Sequence, residues 1–106
     1  MVRLFQMVYI VRGKDVEWTE QRTFIMKRGD YIEIINKITE ILNDIIDRGL
    51  KLVKVISSQI VENLDETPIK VDVKIIKENE ELYQGILVRI NYLEALIKKP
   101  GDDGYA

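Results

Sequence analysis

An α+β fold, with one long amphipathic helix packed on one face of an antiparallel sheet, is the class this sequence predicts, and three observations predict it. Apolar residues recur at three-to-four spacing only between residues 30 and 49. The segments on either side are β-branched and aromatic instead. Two pairs of those segments are joined by short polar or glycine-containing stretches that suit hairpin turns. The expected element order is ββαβββ, with a short C-terminal helix as an option.

Val2 to Arg12 and Val16 to Lys27 make the first hairpin. A two-residue turn at Gly13-Lys14 would pair Val11 with Val16, Tyr9 with Trp18, Phe5 with Arg22 and Arg3 with Phe24. Arg3, Phe5, Met7, Tyr9, Trp18, Arg22, Phe24 and Met26 then share one face, and Leu4, Val8, Ile10 and Ile25 the other. Both faces are substantially apolar. Such a hairpin is expected to be covered on both sides or to give one side to a partner.

At Asp30 the period changes. Asp30 followed three residues later by Glu33 has the form of a capping box, in which the first side chain accepts from a free amide of the first turn and the second reaches back. Ile34, Ile35, Ile38, Ile41, Leu42, Ile45 and Ile46 form the apolar stripe, with Lys37, Glu40, Asp44 and Asp47 opposite and Gly49 as the C-cap. The helix is about five turns long. Tyr31 and Ile32 widen the stripe, which suits a helix lying across a sheet.

Leu50 to Val61 reads as a strand, Glu62 to Pro68 as a loop, and Ile69 to Lys77 as a strictly alternating strand. Glu78 to Glu81 turns the chain, and Leu82 to Leu93 returns as a strand. With Asn79 and Glu80 at the turn centre, Val73 faces Ile86, Val71 faces Val88 and Ile69 faces Ile90, so both apolar sets fall on one face. Tyr92 to Lys99 is the optional short helix. The expected organisation is a single domain over residues 1–99 and a flexible tail over residues 100–106.

At 106 residues, with 16 Lys and Arg against 18 Asp and Glu and 46% hydrophobic residues, the composition is that of one soluble domain. Cys and His are absent, which excludes disulfides, thiol nucleophiles, imidazole bases and N/S metal sites. There is no apolar run of about 18 residues and no signal-peptide pattern at the start, so the expectation is a cytoplasmic protein with no membrane partner. Isoleucine occupies 17 positions, and Lys and Glu dominate the charges, a bias of hyperthermophile proteins and of AT-rich coding alike.

No catalytic residue, metal site or cofactor is expected. Glu33, Glu40, Asp44 and Asp47 fall on the solvent side of the helix, and Glu78, Glu80 and Glu81 in a turn, placements that solubility alone selects. Ser57-Ser58 would need Lys54 as a base, with no glycine-rich oxyanion hole to accompany it.

Two candidate surfaces remain. The aromatic face of the first hairpin offers Arg3, Phe5, Tyr9, Trp18 and Arg22, residue types enriched where proteins bind partners and also able to stack on unpaired bases. The competing reading puts this face in the core beneath the helix, with Leu4, Val8 and Ile10 outward. The second surface is basic: the predicted register sets Lys70 opposite Arg89 with Lys74 on the same face, a site for nucleic acid if an anion offsets the repulsion. The expectation is therefore a small non-enzymatic interaction protein, a homodimer that binds another protein through a sheet face or edge. The alternative is a nucleic-acid-binding module using the strand aromatics with Lys70, Lys74 and Arg89.

Overall fold

Strand alternation and helical periodicity sort the described residues into six strands and one helix. The computed structural model describes residues 3–28, 30–62, 67–77, 83–90 and 93–98, with residues 77, 83–86, 89–90 and 93–98 described by their backbone. The elements are β1 (Arg3–Arg12), β2 (Glu17–Met26), α1 (Tyr31–Asp47), β3 (Lys51–Val61), β4 (Ile69–Lys77), β5 (Tyr83–Ile90) and β6 (Leu93–Lys98). All neighbours are antiparallel, in the order β2-β1-β3-β4-β5-β6.

The expected ββαβββ order is present, and a sixth strand follows it. Leu93–Lys98 is this strand, not the short helix that the sequence allowed. The outer backbone groups of β5 supply the reason: pairing Val88 with Ala95 and Ile86 with Ile97 satisfies an edge that a helix there would leave open. The long return strand expected from Leu82 to Leu93 is accordingly divided. The expected tail, 100–106, and the turn at 78–81 lie outside the described residues.

Both hairpins form two residues out of the expected register. In the first, Arg12 pairs with Glu17, Val11 with Trp18, Tyr9 with Glu20 and Phe5 with Phe24. The connection spans Gly13 to Val16, closed by the Gly13 N–H donating to the Val16 carbonyl at 2.8 Å. Gly13 itself lies under the Trp18 ring, where a Cβ would come within 3.3 Å of ring carbon. In the second hairpin Val73 pairs with Val88, Val71 with Ile90 and Asp72 with Arg89, with an irregularity between Ile76 and Lys77. A shift of two preserves which face each side chain takes, so the apolar sets still coincide.

The helix starts at Asp30, whose side chain accepts from the Glu33 N–H at 2.9 Å. Glu33, expected on the solvent side, is buried instead, because its carboxylate reaches beyond the cap to accept from the N–H groups of Lys27 and Arg28, at 2.8 Å each. At the other end Gly49 adopts φ 72°, the Gly49 N–H donates to Ile46 and the Leu50 N–H to Ile45. This double closure satisfies the last carbonyls and needs a residue without a Cβ at the left-handed position.

The core lies between α1 and one sheet face. Phe5, Met7, Tyr9 and Val11 from β1 are fully buried against Ile34, Ile38, Ile41, Leu42 and Ile45 from α1, with Leu52, Ile60, Val71 and Val88 extending the layer. Each such side chain contributes roughly 1.5–3 kcal/mol relative to exposure. β3 bulges twice against β1, between Val8/Tyr9 and Ile10/Val11, so its inward residues are Leu52, Val55, Ser58 and Ile60.

Candidate interaction surface

The aromatic face of the first hairpin is the face that α1 covers. Phe5 and Tyr9, expected at a partner interface, have no solvent exposure and serve the core instead. The Ile-rich stripe of α1 needs an apolar floor about 10 Å wide, and β1, with a strand on each side of it, provides one. The outward placement of Leu4, Val8 and Ile10, which the competing reading required, follows from the same alternation.

The remaining residues of that set lie at the margins. Trp18 is 38% exposed, and its ring covers the turn at Gly13. Phe24 stacks on Phe5 with ring centroids 6.5 Å apart, and the Arg22 guanidinium sits 4.9 Å above the Phe24 ring. Arg22 also approaches Glu40 and Asp44 of the helix at 3.9 and 3.8 Å. Arg3 donates to the Arg28 carbonyl at 3.1 Å and pairs with Glu62 at 3.1 Å. The charges of this face are thus compensated within the chain, and the structure does not gather Arg3, Phe5, Tyr9, Trp18 and Arg22 into one accessible patch.

Glu20, also on this face, accepts from Arg48 at 2.6 and 2.8 Å and from the Trp18 indole N–H at 2.9 Å. These donors hold its carboxyl at about 2, against an ordinary 4.5, with the Arg48 bonds the largest cause. The Tyr9 hydroxyl is buried across the strand pair from Glu20, near enough to feel its charge but without a hydrogen bond of ordinary geometry. Burial first, and then the Glu20 charge, raise the Tyr9 pKa.

The basic candidate changes character with the register. Asp72, not Lys70, stands opposite Arg89, so the expected like-charge pair does not form. Lys70 pairs across to Gln59 on β3, and its ammonium lies 3.4 Å from the Asp72 carboxylate. Lys74 is exposed opposite Leu87, beside a hollow of about 290 Å³ lined by Asp72, Val73, Lys74 and Leu87. The Arg89 side chain lies outside the described residues. A carboxylate at the centre of this group opposes a phosphate backbone.

The opposite face of the sheet is the surface that the residue types alone did not single out. Leu4, Val8, Ile10 and Val61 are only partly covered there, Ile25 is 71% exposed, and no described element packs over them. Ile56, at the first bulge of β3, is 50% exposed. Ser57 is exposed, whereas Ser58 turns into the core, its hydroxyl without a hydrogen bond among the described residues, away from the exposed Lys54. Among the described residues no helix is long and apolar enough to cross a membrane, and no cluster of three or more metal-ligating carboxylates forms.

Comparison with known proteins gives no match: no family model, curated protein or solved structure is significantly similar to the chain.

Proposed function

We propose that this chain is a small interaction protein without catalytic activity, acting as a homodimer that binds a protein partner through its sheet. The one-sided construction of the sheet carries this reading. Among the described residues a single helix covers one face, while the other presents Ile25 to solvent beside the partly covered Leu4, Val8 and Ile10, with Ile56 exposed at the adjoining bulge. Exposed apolar side chains on an uncovered sheet face, here on both sides of the hydrogen-bonded Gln6 and Gln59, are the kind of surface that protein contacts use.

The competing function, binding of nucleic acid, loses support from Asp72, which sits between the two lysines and pairs with one of them. Sedimentation of the protein alone and with single-stranded and duplex oligonucleotides, at low and physiological salt, tests the choice. The expected result is a species of twice the chain mass, unchanged by either oligonucleotide at physiological salt. A monomer that binds oligonucleotides with a steep salt dependence would instead establish the nucleic-acid reading.

A further inference from the structure

We propose that the subunit contact is β2 itself: two copies pair their β2 strands antiparallel about a two-fold axis through Gln21, merging the two sheets into one. The inference rests on the homodimer reading and names the surface that makes it.

β2 is an edge strand of ten residues, and no described strand pairs with its outer side. Its register with β1 runs unbroken from Arg3↔Met26 to Arg12↔Glu17. Edge strands are ordinarily protected by a proline, a lysine, a bulge or inward-pointing charge; β2 lacks the first three, and its inward-facing charges, Glu20 and Arg22, are of opposite sign and so can complement each other across a two-fold contact. The backbone phase is fixed by the bond from the Gly13 N–H to the Val16 carbonyl. Alternation from that pair directs the even-numbered β2 residues toward β1, leaving the N–H and C=O groups of Glu17, Thr19, Gln21, Thr23 and Ile25 pointing outward.

Charge then selects the centre. An axis through Arg22 would set two arginines directly opposite each other, and one through Glu20 would do the same with two glutamates, both destabilising. An axis through Gln21 sets Glu20 opposite the second copy's Arg22 and Arg22 opposite its Glu20. It also matches Trp18 with Phe24, Thr19 with Thr23 and Gln21 with itself. The charged and aromatic pairs fall at the non-hydrogen-bonded positions, where facing side chains come closest. The contacts of Arg22 to Glu40 and Asp44, at 3.9 and 3.8 Å, are long enough for the guanidinium to turn to the incoming carboxylate. Such an interface is isologous and closes on itself.

Two variants test the contact in the full chain. Gln21→Cys introduces the only cysteine, opposite its own copy at about 5.5 Å between Cα atoms, within disulfide range. Under mild oxidation it is expected to form a covalent dimer, while Thr19→Cys alone, four residues out of line with its own copy, is not. Thr23→Pro removes an outward N–H that makes no bond to β1, so the fold is expected to persist by circular dichroism while the dimer dissociation constant rises roughly tenfold or more. A wild-type monomer would overturn both the homodimer reading and this contact. A wild-type dimer in which Gln21→Cys fails to cross-link overturns the β2 contact alone. Should Thr23→Pro unfold, the cysteine pair still decides.

Discussion

Arg48, the residue on which the helix ends, grips Glu20 of the edge strand through two hydrogen bonds of 2.6 and 2.8 Å. The same guanidinium lies 3.0 Å from Asp44, one turn back. A cation at the C-terminus of a helix is favoured by the partial negative charge of the last carbonyls. The arrangement therefore explains how a glutamate is tolerated on the face that the helix covers, and it ties α1 to β2 at a point where apolar packing gives out.

A pH dependence follows. Glu20 is held at about 2 in the folded chain against 4.5 when unperturbed, chiefly by the Arg48 bonds. Because the folded value is depressed, the stabilisation is fully present above pH 4.5 and is lost as pH falls toward 2. Both side chains retain solvent contact, so screening limits the contribution to about 1 kcal/mol. Glu20→Gln is expected to lose that amount in urea unfolding at neutral pH, and the gap from wild type should close at about pH 2. A constant gap would show that the charge of Glu20 is not what stabilises the fold.

Tyr9 separates packing from polarity. Its ring is fully buried, and among the described residues its hydroxyl makes no hydrogen bond of ordinary geometry, Glu20 being its nearest charged neighbour. Tyr9→Phe is expected to be neutral or to stabilise by up to about 1 kcal/mol, since it removes an unpaired buried group. Tyr9→Ala should cost about 3–5 kcal/mol. Thermal unfolding of the two variants checks the contrast, and a large loss in Tyr9→Phe would reveal a bond to the hydroxyl.

The helix start divides into two unequal parts. Asp30→Ala removes one acceptor from an exposed cap and is expected to cost about 0.5–2 kcal/mol. Glu33→Ala leaves the Lys27 and Arg28 amides without their acceptor and should cost more, about 2–3 kcal/mol. Equal losses in urea titrations of the two variants would contradict this ordering.

At the helix end Gly49→Ala isolates backbone strain. Nothing lies within 4 Å of the added methyl group, so its effect comes only from the φ of 72°. A loss of about 1 kcal/mol is expected. Unchanged stability would imply that the chain relaxes out of the left-handed conformation.

Much of this fold is legible in the residues because each long element has a single period. The stripe from Ile34 to Ile45 and the Asp30 and Gly49 caps place α1 within a residue or two. The strict alternation of Ile69 to Ile75 assigns faces to β4. Turn geometry was less accessible: the sequence between Arg12 and Glu17 permits several loop lengths, and only the bond from Gly13 to Val16 settles which one forms. β3 hides its pattern for a physical reason. Its two bulges space the inward residues Leu52, Val55 and Ser58 three apart instead of two. Lys70, Lys74 and Arg89 form a basic group only on a register that sets Lys70 opposite Arg89, and a two-residue shift puts Asp72 there. Phe5 and Tyr9 were ambiguous because aromatics suit cores and interfaces equally. The freedom of the β2 edge depends on strand order, which no local pattern encodes.

The sheet is not equally continuous along its width. β1 and β3 pair along nearly their whole lengths, whereas among the described residues the β3–β4 ladder has Gln59↔Lys70 and Ile60↔Ile69 as its partners. The hairpin of β1 and β2, with α1 and β3, thus forms one block, and the β4–β6 meander joins it through this short ladder, through Val71 and Val88 in the shared core and through the Tyr31 hydroxyl, which donates to the Val88 carbonyl at 3.2 Å. Opening at that junction exposes less apolar surface than unfolding the block, so amide protons of the meander should exchange through a lower-energy partial unfolding than those of β1. Proteolysis or heat would accordingly loosen the β4–β6 meander first, while β1, β2, β3 and α1 still hold their shape.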